Sequence, residues 1–276
     1  MENIKGFIVL VDLSGYTKFV RTHNTRKIPF IGKNVKKTSE QHAEHIVSDL
    51  LECVINELDG TLTVNKLQGD AVLFYSVPEN LVEYPKLLIE KIQSCFEIFS
   101  NRLNELIFCG TCPCDPCQQF GNLKLKSFIH YGDYLLKKVS RFEEIAGEDV
   151  ILAHRLMKNS IQTNEYILFT KNVNDITSLK GFDNLEERIE KCEGLDDAKV
   201  YVFYPSRENY SEIGRENIPW LKRFFTMYKY FKNLKTKQGI KEKFILLNLI
   251  HHFNVTFHLR ICNSESVEIF GNRVFI

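Results

Sequence analysis

Residues 6–13 read GFIVLVDL, an apolar, β-rich run that closes on Asp12-Leu13 and passes at once into Ser14-Gly15. This is the pattern of a buried strand entering a tight turn. The chain downstream alternates helical and strand periods in a fixed order. From Ser39 to Leu58, Ile46, Leu50, Val54 and Leu58 recur every four residues beside Val47, Leu51 and Ile55, which predicts an amphipathic helix ended by Asp59-Gly60. Thr61–Leu67 and Ala71–Val77 read as a hairpin around Gln68-Gly69-Asp70. Tyr84–Leu106 is a second long helix. Leu123–His130 is a strand turned by Tyr131-Gly132-Asp133. Asp149–Asn159 is a helix, and Tyr166–Thr170 and Lys199–Tyr204 are late strands. Residues 23–38, with Pro29 and Gly32, read as a loop.

The order β-α-β-β-α-β predicts an α/β (α+β) fold of ferredoxin-like type over residues 1–205. The polar, turn-rich stretch from Pro205 to Pro219 marks a boundary. Residues 206–276 are then an extension: a basic helix with an aromatic stripe (Trp220, Phe224, Met227, Phe231, Leu234), then a terminal strand pair over Val255–Cys262 and Val267–Ile276.

With 44% hydrophobic and 26% charged residues in 276, disordered, collagenous and low-complexity classes are excluded. No run of about 18 apolar residues exists, so no transmembrane helix is expected. The N-terminus shows no signal-peptide pattern. Eight cysteines without an export signal read as reduced thiols or metal ligands, and a cytoplasmic location is expected. The net charge of +1 is unevenly spread. Residues 222–243 hold eight Lys/Arg against Glu242 alone, so the rest of the chain carries a net negative charge. Contact of 220–243 with nucleic acid or a membrane surface is one reading. Docking of its aromatic stripe on the body or on a second copy is the favoured one.

Asp12 ends a strand and Asp70 sits at a hairpin tip. In a ferredoxin-like sheet the first strand lies beside that hairpin, so both carboxylates reach one spot. Paired acids on such turns suit a hard divalent cation, and two such ions suit phosphoryl displacement. Turn aspartates that only bond local N–H groups are the alternative.

Three segments carry a family resemblance. Phe7–Thr17, with Asp12, Gly15, Tyr16 and Thr17, resembles the first strand and turn of class III nucleotidyl cyclases, the adenylate and guanylate cyclases. Asn65-Lys66-Leu67-Gln68-Gly69-Asp70-Ala71 resembles that family's metal-binding hairpin. His130-Tyr131-Gly132-Asp133, followed by Gly147 and Ala153-His154-Arg155-Leu156, resembles its later strand and arginine-bearing helix. The matches run in family order over roughly residues 5–205 and imply a divergent, bacterial-type cyclase domain.

The resemblance implies roles. Asp12, Asp70 and the Leu13 carbonyl would hold Mg²⁺ or Mn²⁺. Backbone N–H groups around Gly15, Tyr16 and Thr17 would hold the triphosphate. Lys66 and Glu144 would read the base, with ATP favoured, and Arg155 would stabilise charge on the reacting phosphate. The family works as a head-to-tail homodimer, so Asp12 and Asp70 of one subunit would face Lys66, Glu144 and Arg155 of the other. One departure stands out: Ile151 occupies the place of a family Asn that positions ribose or phosphate.

The implied activity is a phosphorus–oxygen lyase that makes a 3′,5′-cyclic nucleotide and pyrophosphate from a nucleoside triphosphate. A catalytically inactive homologue that binds nucleotide or a partner, and a pyrimidine cyclase of anti-phage signalling, are the alternatives. His154 and the pair His251-His252 read as structural. Separately, Cys109, Cys112, Cys114 and Cys117 place four thiols in nine residues. A structural Zn²⁺ site is the leading reading, with iron–sulfur or unligated thiols as the others.

Overall fold

The computed structural model describes residues 2–21, 32–109, 120–177, 179, 182, 184–205, 225, 259–262 and 266–269. Strand β1 (Glu2–Ser14) lies inside the sheet. Phe7, Val9, Val11 and Leu13 point to one face and Ile8 and Leu10 to the other, and all six are buried. An unbroken apolar run is what a strand covered on both sides requires.

A hairpin of β2 (Thr63–Gln68) and β3 (Ala71–Ser76) pairs antiparallel with one side of β1. On its other side runs β4 (Lys124–Val139), also antiparallel. Beyond it come β6 (Tyr166–Thr170), β8 (Ala198–Phe203) and the edge strand β7 (Glu186–Glu190). The order is β2-β3-β1-β4-β6-β8-β7, and β5 (Phe142–Ala146) pairs with the far end of β4, making eight strands. The mixed α+β class is therefore as expected. At the other edge, β2 carries a bulge between Val64 and Lys66.

Helices α2 (Gly32–Leu58) and α3 (Tyr84–Cys109) cover the first face. Ile46, Leu50, Val54 and Leu58 of α2 meet Leu88, Ile92, Phe96 and Phe99 of α3 in one core with β1. Arg102 clamps α3 to α2 by bidentate contact with Asp49, at 2.7 and 3.1 Å. Short α1 (Tyr16–Arg21) follows β1 directly. On the second face α4 (Glu148–Leu156) buries Val150, Ala153 and Leu156 against Ile8, Leu10 and Phe128. Helix α5 (Lys171–Thr177) follows β6. Strands β9 (Leu259–Cys262) and β10 (Ser266–Ile269) form their own antiparallel pair, and the rest of the anticipated pair lies outside the described residues. Among the described residues, no helix is long and apolar enough to cross a membrane.

Three local expectations need correction. Tyr131-Gly132-Asp133 is not a turn; β4 runs straight through it. The glycine is there for another reason: a Cβ at Gly132 would overlap the Asp149 carboxylate. The chain instead turns after Val139, with Ser140 at φ 58°, and returns as the unanticipated β5. The region expected as a loop up to residue 38 is helical from Gly32. The helix expected to reach Asn159 ends at Leu156. Helix α5 and strand β7 were not anticipated. The segments 22–31 and 110–119, with Cys112, Cys114 and Cys117, lie outside the described residues, as do His251, His252 and 220–243 apart from Phe225.

Candidate functional site

The end of β1 and the β2–β3 turn meet as the hairpin reading requires. Asp12 sits opposite Ala71, the residue after Asp70. The Leu13 N–H donates to the Asp70 carbonyl at 3.0 Å, locking the hairpin tip to the strand end. Gly69, at φ +70°, makes the two-residue turn possible. Burial pushes the Asp12 carboxyl up to about 6, and the Asp70 charge pushes the same way; Lys126 opposes them. Burial also raises Asp70. Two partly desolvated carboxylates that repel each other are what a divalent cation would relieve. They are a pair, not a cage: among the described residues, no group of three or more His, Cys, Asp or Glu side chains is placed to hold a metal.

Ser14-Gly15 carries the chain from β1 into α1. Gly15 has φ +91°, and a Cβ there would lie 2.7 Å from the Asn122 carbonyl oxygen, so the turn needs glycine for both reasons. The Phe19 N–H bonds the Gly15 carbonyl and starts the helix. Tyr16 directs its hydroxyl to Glu44 at 3.1 Å, while Thr17 is exposed. The Ser14 hydroxyl donates to Asn164 Oδ1 at 3.1 Å.

Lys66 lies on β2 just past the bulge, and Glu144 lies on β5. The two strands touch: Asn65 Nδ2 donates to the Glu143 carbonyl at 3.4 Å. Glu144 is also in reach of Lys137, its cross-strand partner, at 3.5 Å. Arg155 is half-exposed near the end of α4, 3.4 Å from Glu193. Ile151, four residues earlier, shares its helix face and is 51% exposed. An apolar side chain therefore projects from the surface where an Asn was expected.

Lys126 and Asp149 escaped sequence reasoning, and His154, read there as structural, has a defined linking role. Lys126 faces Asp12 across the β1–β4 ladder and stacks its ammonium over Tyr166, 5.4 Å from the ring centre. Only strand register reveals it. His154 links α4 to the hairpin. Its Nδ1 lies 2.8 Å from the Val150 carbonyl, which only a protonated nitrogen satisfies, so in the neutral ring Nε2 accepts from the Gln68 amide at 3.2 Å. Asp149 anchors the start of α4 by accepting from the Asp133 N–H at 2.6 Å and facing buried His130 Nε2 at 3.1 Å. The His130 contact is the main influence holding the Asp149 carboxyl below the usual range, with the Asp133 N–H helping and burial opposing.

A strand that ends on a metal-type carboxylate, a hairpin returning a second one, and a late helix bearing an arginine form one arrangement. The adenylyl cyclase CyaB from P. aeruginosa superposes with a TM-score of 0.56 over 76% of this chain and all of that one, at 13% identity. The fold is that of nucleotidyl cyclase catalytic domains. The guanylate cyclase domain of RhGC from Catenaria anguillulae, solved in complex with GTP, gives a TM-score of 0.51 over 75% of this chain and all of its own, at 11% identity. In sequence, residues 47–166 match a family model described as "Protein of unknown function (DUF2652)". The uncharacterized protein Rv2561/Rv2562 of Mycobacterium tuberculosis (strain ATCC 25618 / H37Rv) is 34% identical over 124 residues. That match spans 45% of this chain and 57% of the relative. The cyclase fold here thus comes with sequence likeness to proteins outside the characterised cyclases.

Proposed function

We propose that residues 1–205 are a divergent class III nucleotidyl cyclase domain that converts a nucleoside triphosphate, ATP in preference to GTP, into a 3′,5′-cyclic nucleotide and pyrophosphate. The observation that carries this reading is the meeting of Asp12 and Asp70 at the end of β1, in a cyclase fold. Asp12, Asp70 and the Leu13 carbonyl would hold Mg²⁺ or Mn²⁺, which when bound lowers the cost of charge on the attacking and leaving oxygens.

In the reaction the ribose 3′-oxygen bonds to the α-phosphorus, the bond to pyrophosphate breaks, and the 3′-hydroxyl proton leaves to solvent. Arg155 offsets charge gathering on the phosphate. Backbone N–H groups at Tyr16 and Thr17, beyond the turn at Gly15, hold the triphosphate. Lys66 donates to adenine N1 and Glu144 accepts from its amino group; in the resting chain Lys137 holds that carboxylate.

A homodimer supplies the second half of each site. An exposed apolar set supports it: Val64 and Leu67 on β2, Val139 and Phe142 on the β4–β5 hairpin, and Ile151 on α4. These elements are joined by the Asn65 and His154 contacts.

The test is incubation of the protein with each of ATP, GTP, CTP and UTP and Mn²⁺ or Mg²⁺, beside Asp12→Asn and Asp70→Asn. Cyclic product from wild type and none from either variant is expected. Full activity in either variant overturns the two-metal assignment, GTP as best substrate overturns the base assignment, and a pyrimidine product supports the pyrimidine cyclase. The exposed Ile151 favours one second reading, a homologue that binds nucleotide without turning it over. No product from any triphosphate, with dimer and metal binding demonstrated, selects it.

A further inference from the structure

One row of side chains crosses the sheet beside the carboxylate pair. Asp12 of β1 stands opposite Lys126 of β4, and Lys126 stands beside Tyr166 of β6. Directly paired residues project to the same face, so carboxylate, ammonium and ring share one side of the sheet. A lysine opposite an aspartate is the ordinary setting for a cross-strand ion pair. Among the described residues no ion pair joins these two. The Lys126 ammonium sits over the Tyr166 ring instead, 5.4 Å from its centre.

The ring is fixed from two sides. Tyr166 is buried, and Phe128 meets it at 90°, with centroids 5.8 Å apart. Its hydroxyl accepts from Asn159 Nδ2 at 2.6 Å. The same amide nitrogen donates to the Leu156 carbonyl at 2.7 Å, and Asn159 Oδ1 accepts from the Ile161 N–H at 3.0 Å. The flexible partner is the lysine, whose long stem lets the ammonium choose between ring and carboxylate.

That choice bears on the carboxylates. An ammonium in contact with Asp12 would occupy its oxygens, and a divalent ion would have to displace it against Coulomb attraction. A desolvated aromatic face offers the ammonium a competing seat. From that seat its charge still acts on Asp12, at a distance. We propose that Tyr166 is a positioning residue that holds Lys126 out of an ion pair with Asp12, leaving the Asp12–Asp70 pair open to a divalent cation. The inference rests on the metal reading of that pair.

The test is a titration of the full chain with Mn²⁺ alone, followed by the EPR signal of the free ion. Tyr166→Phe keeps a ring face and is expected to bind Mn²⁺ like wild type. Tyr166→Leu frees the lysine to reach Asp12 and is expected to weaken Mn²⁺ about fivefold or more. In a Lys126→Met background the same Tyr166→Leu change is expected to leave binding unaltered, because no ammonium is left to misplace. A ring that only fills the core would weaken binding in both backgrounds. That result overturns the proposal, as does unchanged binding in Tyr166→Leu. Should Tyr166→Leu unfold, NMR of the wild-type chain decides. The Lys126 ε-methylene protons, assigned by their loss in Lys126→Met, are expected upfield of those of exposed lysines under the ring current of Tyr166. Signals among the exposed lysines overturn the proposal. Wild type that binds no Mn²⁺ overturns the metal reading of the carboxylates and this inference with it; the other adverse outcomes spare that reading.

Discussion

Asp12 shows how one side chain can be poor for stability and suited to chemistry. Its folded value, about 6, lies above the unfolded value of 3.8. Between those values the folded state holds a proton that the unfolded state has lost, so the metal-free protein loses stability as pH rises from about 4 to 6. Asp12→Asn removes that penalty. It is expected to raise metal-free stability at pH 7 by roughly 1–3 kcal/mol, read by denaturant unfolding, while turnover is lost. At pH 4 the gain is expected to vanish. Stabilisation by Mn²⁺ is expected to grow over the same pH span in wild type and to be much smaller in the variant. Ile151 carries a second test at this scale. Because it projects from the helix surface, Ile151→Asn is expected to change stability by less than about 0.5 kcal/mol. Cyclic-nucleotide assays are expected to show faster turnover, since a positioning hydrogen bond is worth up to roughly 10²-fold.

At the scale of elements, helix α4 owes its seat to Asp149. That carboxylate satisfies the Asp133 N–H and faces His130, and Gly132 exists to let it approach. Asp149→Ala leaves both groups without it and is expected to cost about 1–3 kcal/mol in urea unfolding. The sign with pH follows from a folded value held below the unfolded one. The contribution is complete above the ordinary carboxylate range and is lost as pH falls through the depressed value, so wild type and variant are expected to converge in acid. Here lies the boundary of what sequence could tell. The central strand, the two long helices and the Asp12–Asp70 meeting were legible because each rests on local periodicity or on a tight turn. Gly132-Asp133 was misread because its glycine answers to a side chain 17 residues later, not to a turn. β5, reading FEEIA, lacks clean alternation, and its turn at Ser140-Arg141 holds no Gly, Pro, Asn or Asp. Lys126 and Lys137 acquire partners only through register, which no local pattern encodes.

Over the whole molecule, the cyclase reading needs two chains. Asp12 and Asp70 sit at one end of the β1–β3 ladder, while Lys66, Glu144 and Arg155 lie on β2, β5 and α4, beside exposed apolar side chains. If each active site draws the carboxylates from one subunit and the other group from its partner, damage can be shared out. Mixing an Asp12→Asn chain with an Arg155→Ala chain is expected to restore about one working site per mixed dimer, measured as cyclic product against either variant alone. No recovery in isolated heterodimers would count against a shared site. The edges of the large sheet have a consequence of another kind. β7 presents Glu186, Glu187, Arg188 and Glu190 in one short strand, and β2 breaks its own ladder at Asn65. A neighbouring chain that tried to extend the sheet would meet a charged fringe at one margin and an interrupted row of donors and acceptors at the other. Among the described residues both margins of the sheet thus discourage an added strand, so crowded copies meet resistance where a fibre would have to begin.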